Sequence, residues 1–536
     1  MSASQDLLLI DRAFSEMERY DDEWSDIERI YRAKYTKKYI RKLRKKKRSD
    51  LYVPLSRNTV DIIHAIIMTS FLADGFPIEI NPIGLKKEHD TRLKNALMVV
   101  ARKRWEQWKP LVGLSKAILS AVQFPLGIIS LAYDRNLQAA KTNHIPINNI
   151  AFDYEATDIN DVQYMCNKWK DSKRVIWDKI QAGTYKLKKA EISKLFPRGL
   201  ESASYERVEI KDIYHKRVNK GIVTWELFSY CEGVRLRKVM FKKSPFHYGY
   251  TIERLPSYDK SERDQEILVY GSCVIDKLRA IQEEYNIKRN QKIDLIEEAI
   301  DPSYAVNAEN GVVRTQDIKN REKFIRVNAG HGKSIKDVIQ RFDPTSTYAL
   351  SEESDMLDRD HSRAGGVNSV LEGETSPSDR RANSAITTVN ANSSMRIETM
   401  VITLLPMLQS YADSFIDIVY RHTSDEDFIE LTEDENILEV VGNYGKREPL
   451  KYDASVNFGT TISKNTKINE LSSLLQMLLQ NQNTNPEKTN EILNEILTLI
   501  RGENADTQNT FQEPQEEQQE PTPEQKDLMA AGTGGV

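Results

Sequence analysis

Residues 270–300, YGSCVIDKLRAIQEEYNIKRNQKIDLIEEAI, decide how the rest of the chain is read. Val274, Leu278, Ile281 and Tyr285 recur at the three- and four-residue spacing that gathers side chains on one helix face. Ile293, Ile296 and Ile300 repeat the pattern after a polar gap. At 1.5 Å per residue this helix is roughly 40 Å long. That is long for an ordinary domain and points to a rod or bundle. Apolar stripes with no partner in the same rod predict burial between subunits.

Downstream, residues 301–345 are mixed (DPSYAVNAENGVVR, KFIRVNAG, SIKDVIQRF). Residues 346–363 return to helix and are dense in acid, with Glu352, Glu353, Asp355, Asp358 and Asp360. Residues 364–376 (AGGVNSVLEGETS) hold Gly365, Gly366 and Gly373 and read as a mobile loop, its tip formed by Val367, Asn368, Ser369, Val370 and Leu371. Ser376 and Pro377 suit an N-cap and a first helical position. From there one apolar face runs to about His422, through Ile386, Ile397, Leu404, Tyr411 and Phe415. Pro406 falls inside this helix and should bend it, because proline lacks an N–H donor and clashes with the preceding turn. Short strands are expected over 427–462. Two amphipathic helices follow over 466–481 and 486–501, the second capped by Asn485 and ended by Gly502. From 503 the chain is rich in Gln, Glu, Pro and Thr, cannot bury apolar area, and reads as disordered.

Upstream, ERVEIKDIYHKRV and GIVTWELFSY within 207–252 alternate apolar and polar residues, as antiparallel strands do, and 147–166 has similar character. A helix over 190–203 lies between them. LGIISLAYD, from Leu126 to Asp134, suits a buried strand. Residues 86–123 are helical with a break near Pro110. In 56–72, Val60, Ile63, Ile67 and Phe71 recur at helical spacing, and His64 reads as a satisfied core histidine. Residues 5–48 read as helix with segregated charge. Acids crowd 11–28, whereas 34–48 (KYTKKYIRKLRKKKR) carries ten Lys or Arg in fifteen positions, among them Arg41, Lys42, Arg44, Lys45, Lys46, Lys47 and Arg48. Such a block needs water or an anionic partner: a solvated arm, nucleic acid, or a neighbouring subunit's acidic segment.

The 536 residues suffice for about three or four domain-sized units. With 76 basic and 80 acidic residues the net charge is −4, so any nucleic-acid surface must be local. Cys166, Cys231 and Cys273 form no CxxC pair, which excludes a zinc ribbon or disulfide scaffold and implies a reducing compartment. The apolar run from Leu111 to Tyr133 is interrupted by Lys116, Gln123, Pro125 and Gly127, and no secretory signal opens the chain, so the protein reads as soluble with no membrane span. HExxH and GxSxG are absent. Gly332-Lys333-Ser334 echoes the end of a phosphate-binding loop, but Val327 stands where the first glycine belongs. No enzymatic activity, cofactor or metal is expected.

The order and lengths of these elements resemble those of tailed-bacteriophage portal proteins, the head-to-tail connectors. The likeness begins at Tyr270-Gly271-Ser272, a turn opening a long helix that continues through Gln282, Asn286 and Asp294, and it spans about 20–500. The expected class is α+β. The resemblance implies a charged N-terminal arm (1–49), an N-terminal wing portion (50–269), two stem helices (270–300 and 346–363) and a clip between them (301–345). A tunnel loop (364–376), a long kinked helix completing the wing (377–462), crown helices (463–503) and a tail (504–536) would follow. It further implies a dodecameric ring at a unique capsid vertex, admitting double-stranded DNA and docking first terminase and then the head–tail adaptor or tail. The major capsid protein would be a further partner, and the setting the virion, with the host cytoplasm during assembly. The acidic residues at 352–360 would suit a low-friction channel wall, with Arg279, Lys288, Arg289 and Lys292 pairing with acids of neighbouring subunits; ordinary solvated faces explain both equally well. A head–tail adaptor or other virion ring protein is the alternative reading, and a packaging-motor subunit a weaker one.

Overall fold

The charged N-terminus folds as three helices rather than one. Helix α1 (Ala3–Met17) passes through a short 3-10 turn into α2 (Asp21–Tyr31), and α3 (Lys37–Lys45) follows a break. The break has a local cause: Ala33 adopts a left-handed φ of 53°, and the Thr36 side chain accepts from the Tyr39 N–H at 3.3 Å as a new N-cap. The computed structural model describes residues 3–72, 75–82, 87–134, 137–157, 161–199, 205–219, 221–255, 267–300, 304–306, 311–313, 327–329, 331–332, 334–341, 348–367, 383–445, 447 and 452–456. The chain divides into two units, one of residues 1–72 and 76–458 and one of residues 73–75 and 459–536. The expected crown helices and tail lie outside the described residues.

Helix α4 (Leu55–Phe71) buries the stripe read from its sequence, Val60, Ile63, Ile67 and Phe71. Strand β1 (Ile78–Pro82) leads to α5 (Lys87–Trp108) and α6 (Leu111–Gln123), which separate at Pro110 as expected. His64 is half-buried and bonded, its Nε2 3.1 Å from the Ser115 carbonyl of α6.

Two antiparallel sheets follow. Strands β2 (Gly127–Asp134) and β3 (Ala139–His144) precede β4 (Ile150–Phe152) and β5 (Tyr164–Ser172), and then come α7 (Lys173–Gln181) and α8 (Lys189–Leu195). Strands β6 (Arg207–Asn219), β7 (Ile222–Cys231), β8 (Val234–Phe241) and β9 (Phe246–Gly249) complete the set. The larger sheet has the order β4-β5-β6-β7-β8, the smaller β3-β2-β9. Alternation along β6 divides its neighbours. Ile210 joins a small core with Ile176, Ile180, Leu195 and Phe196 beneath α7 and α8. Lys211 and His215 instead face α1: Lys211 pairs with Asp11 at 2.6 Å, and His215 Nε2 lies 3.1 Å from Oδ1 of the buried Asp6. The Tyr230 hydroxyl donates to the other Asp6 oxygen at 2.6 Å, so α1 is fixed to the sheet through a buried carboxylate.

The long helix of the opening sequence is α9 (Val274–Ile300). Beyond it β10 (Tyr304–Val306), β11 (Gly311–Val313), β12 (Val327–Ala329), the one-turn α10 (Ile335–Val338) and β13 (Ile339–Arg341) form two small antiparallel pairs, β10 with β13 and β11 with β12. Helices α11 (Tyr348–Gly365) and α12 (Asn383–His422) follow, so the class is α+β as expected.

The strands expected over 427–462 are largely replaced by helix. Described there are α13 (Asp425–Thr432), α14 (Leu438–Val441) and one strand, β14 (Tyr452–Val456), paired antiparallel with β1. Ser424 caps α13, accepting from the Asp427 N–H at 3.1 Å, and three acids occupy its first turn where the helix dipole favours them. Arg447, its side chain almost fully buried, donates to the carbonyls of Thr423 (2.7 Å) and Gly442 (3.0 Å) and to Asp425 (2.7 Å), tying the end of α12 to both short helices.

Helix α12 continues through Pro406. Leu404, Met407 and Leu408 are buried, whereas Pro406 is exposed on the side of Ile402, so the carbonyl deprived of a donor faces solvent. Pro406→Ala restores the missing N–H donor and is expected to raise stability by about 1–3 kcal/mol. A urea unfolding midpoint that stays unchanged or falls would contradict this.

Candidate functional site

The polar gap in α9 proves to be a binding face for the chain's own backbone. Gln282, Asn286, Asn290 and Asp294 are spaced by four and form a ladder along one side of the helix. Residues 49–56 run beside it as a strap. Asp294 Oδ1 accepts from the Ser49 N–H (2.8 Å) and hydroxyl (2.7 Å). Asn290 accepts from the Leu51 N–H at 3.0 Å and donates back to the Leu51 carbonyl at 2.9 Å. Asn286 accepts from the Val53 N–H at 2.8 Å. Gln282 donates to the Val53 carbonyl at 2.7 Å and accepts from the Ser56 N–H at 2.8 Å. Four helical residues advance about 6 Å and two extended residues about 6.6 Å, so the alternate amides of 49, 51 and 53 meet successive rungs. Pro54 helps by disfavouring helical geometry at Val53.

Helix α11 packs along another side of α9. There Lys288 pairs with Glu353 at 2.7 Å within one chain, and Arg279 pairs with Asp276 of its own helix at 3.3 Å. Both cations thus have a carboxylate close by within the same chain. Arg289 and Lys292 are half-buried. The acids of α11 do not share one face either. At about 100° per residue Glu352, Asp355 and Asp358 form one exposed arc, whereas Glu353 and Asp360 lie on a different flank, Asp360 3.7 Å from Arg363. The strap, α2, α4 and α11 of the same chain take much of the surface of α9. Ile287, Ile296 and Ile300 nevertheless remain 41%, 41% and 67% exposed.

The first residues of the expected tunnel loop are a packed helix terminus. Gly365 still belongs to α11, and a β-carbon there would meet Thr59 Cγ2 of α4 at 2.8 Å. Gly366 ends the helix with a φ of +73°, the left-handed geometry glycine supplies. Val367 is fully buried and cannot be a projecting tip. Arg396 of α12 donates to the Arg363 carbonyl at 2.7 Å across this terminus. Asn368, Ser369, Val370, Leu371 and Gly373 lie outside the described residues, as does the N-cap expected at Ser376 and Pro377.

The phosphate-loop echo is a surface turn. Strand β12 ends at Ala329, His331 and Gly332 are exposed, and the Ser334 hydroxyl accepts from the Lys336 N–H at 3.1 Å. The helix that follows has four residues, too short to present a row of free amides to a phosphate. Lys333 lies outside the described residues. All three cysteines are buried and free, with the Cys166 and Cys231 thiols pushed up by burial, Cys231 to about 11. Among the described residues no His, Cys, Asp or Glu group is arranged to hold a metal ion, and no helix is long and apolar enough to cross a membrane.

In the described residues a long helix, small paired strands, a second helix and a longer third helix thus follow in order within an α+β subunit. Residues 264–532, half of the chain, match the family model described as the phage SU10 portal protein, and the chain belongs to that portal family. It is thus a portal protein, a structural component of a bacteriophage virion concerned with genome packaging. No curated protein matches the chain.

The ladder and the buried His361 each yield a test. Gln282→Leu removes both partners of the strap at Ser56 and Val53 and is expected to destabilise the protein by about 2–4 kcal/mol in denaturant unfolding, since unpaired buried backbone groups cost about 1–3 kcal/mol each. His361 of α11 sits 3.1 Å from the Ser56 hydroxyl, and burial pulls its pKa down to about 4. Between pH 6.5 and about 4 the unfolded chain binds a proton the folded chain refuses. This contribution is therefore complete above pH 6.5 and lost as pH falls towards 4, on the order of 3 kcal/mol. His361→Gln should flatten that part of the stability–pH profile, and an unchanged slope would refute the assignment.

Proposed function

We propose that the chain assembles into a closed dodecameric ring at a unique capsid vertex, forming the channel through which double-stranded DNA is packaged and later ejected. The observation that carries this reading is the family match over 264–532, which covers α9, the small strand pairs, α11 and α12 together. In this reading α9 and α11 are the stem, 301–345 is the clip that docks terminase and then the head–tail adaptor, and 368–376 supplies the tunnel loop. The exposed apolar surface of Ile296 and Ile300, about 40° apart around α9, supports contact between neighbouring copies, because neighbouring exposed apolar side chains on a rod favour association. The exposed arc of Glu352, Asp355 and Asp358 suits a wall along which DNA slides, since each neutralised phosphate would add a salt-dependent grip.

Particle-averaged images of the purified protein test the ring directly. Closed rings with a central channel are expected, twelvefold in particles, with thirteenfold rings tolerated on overexpression. A stable monomer at micromolar concentration in analytical ultracentrifugation would overturn the reading. Deleting 368–371 should leave rings intact and impair packaging or retention of DNA; normal packaging would remove the loop from the channel.

A further inference from the structure

The basic segment is tied to α9 at Tyr35 and Arg48, while the cations of its helix point outward as a prepared surface. Helix α3 has no buried residue. At 100° per residue Arg44, Lys37, Arg41, Lys45, Lys38 and Lys42 fall in that order around an arc of about 160°. Tyr39, Leu43 and Ile40 occupy the opposite side, half-buried. The nine-residue helix is only about 13 Å long. Arg44 lies 3.5 Å from Asp50, and Arg48 lies 3.4 Å from Asp294. Among the described residues Lys37, Lys38, Arg41, Lys42, Lys45, Lys46 and Lys47 have no carboxylate partner, and all are exposed.

The helix is also held rigidly. Tyr35, just before it, donates to the Leu51 carbonyl at 2.9 Å and accepts from Asn290 at 2.9 Å. Tyr35 packs on Tyr39 and Tyr52, with ring centres 5.2 and 4.9 Å away. At the other end Lys47 takes a left-handed φ of 52°, and the Arg48 N–H returns to the Leu43 carbonyl at 3.0 Å. Folding thus holds like charges together, at a cost in stability that an external polyanion would offset.

We propose that α3 docks the phosphate backbone of double-stranded nucleic acid on an outer surface of the protein, without reading its sequence. Duplex DNA presents one charge per about 1.7 Å of axis, dense enough to meet several cations of so short a helix at once. Lysine predominates, and lysine contacts phosphate as a point charge without the bidentate geometry of base readout. A second copy of the chain is the poorer partner. The acids nearest α3 in sequence already pair within the chain: Glu23 with Arg254 (3.4 Å), Asp26 with Arg29 (3.0 Å), and Glu28 with Arg32. Docking of this kind is independent of whether the ring carries a DNA channel.

The test uses the full-length protein and a relaxed, closed-circular duplex of random sequence, which cannot be threaded through a preformed ring. The variant Lys38→Gln/Arg41→Gln/Lys42→Gln/Lys45→Gln should bind the circle at least about tenfold more weakly at 0.1 M salt, and the slope of log K against log salt should shrink by about 0.9 for each phosphate no longer neutralised. Lys38→Arg/Lys42→Arg/Lys45→Arg should bind as the parent does. In the unaltered protein, duplex should protect Lys38, Lys42 and Lys45 from amine acetylation read by mass spectrometry, a measurement that stands even if the Gln variant folds poorly. Unchanged slope, absent protection, or a change in oligomeric state with circle binding intact would each overturn the proposal. The last outcome would make α3 a subunit contact. Ring images of the same preparation report on the channel separately.

Discussion

The register between α9 and the strap at 49–56 is the constraint on which much else depends. Carboxamide and carboxylate side chains on a helix replace a β-strand as partners for an extended backbone, and they do so because two extended residues and four helical residues cover nearly the same distance. The arrangement fixes α9 to the N-terminal region, sets where α4 begins at Leu55, and positions α3 through Tyr35 and Arg48. A one-residue slip would leave buried amides without partners along the whole strap, so the packing has one strongly preferred register.

From this contact the protomer is held by a few buried polar anchors beside one large apolar core and a smaller one. Asp6 binds α1 to the larger sheet, Arg447 gathers the ends of α12, α13 and α14, and His361 reaches Ser56 where the strap becomes α4. Each joins segments distant in sequence. The pairing of β1 with β14 does the same with backbone alone, bringing Ile78–Pro82 against Tyr452–Val456. Such cross-links resist local unfolding, because opening one element would have to break contacts with another.

The helices α4, α5, α6, α9, α11 and α12 and the antiparallel strands of the larger sheet were legible from periodicity, because their apolar faces are wide and their breaks fall at proline or at polar, loop-forming residues. The region 427–441 was not. Its apolar residues, such as Phe428 and Ile437, are too few to distinguish period two from 3.6, and its helices are decided by the Ser424 cap and by Arg447 arriving from farther along the chain. Val367 was misplaced for a similar reason. Two adjacent glycines read equally as a loop and as a helix terminus, and only close packing against Thr59 selects the second.

The sequence by itself determined the α+β class, the long helices and the cluster of cations at 34–48. These follow from composition and spacing, which act locally. Only the tertiary structure decided what the polar gap in α9 is for. Gln282, Asn286, Asn290 and Asp294 look like a solvated face until a strap more than 220 residues away is laid against them. It likewise decided that Lys288 meets Glu353 and that the lysines of α3 meet no carboxylate among the described residues, because the partner of a charge is set by which helices pack together, and no local pattern encodes that.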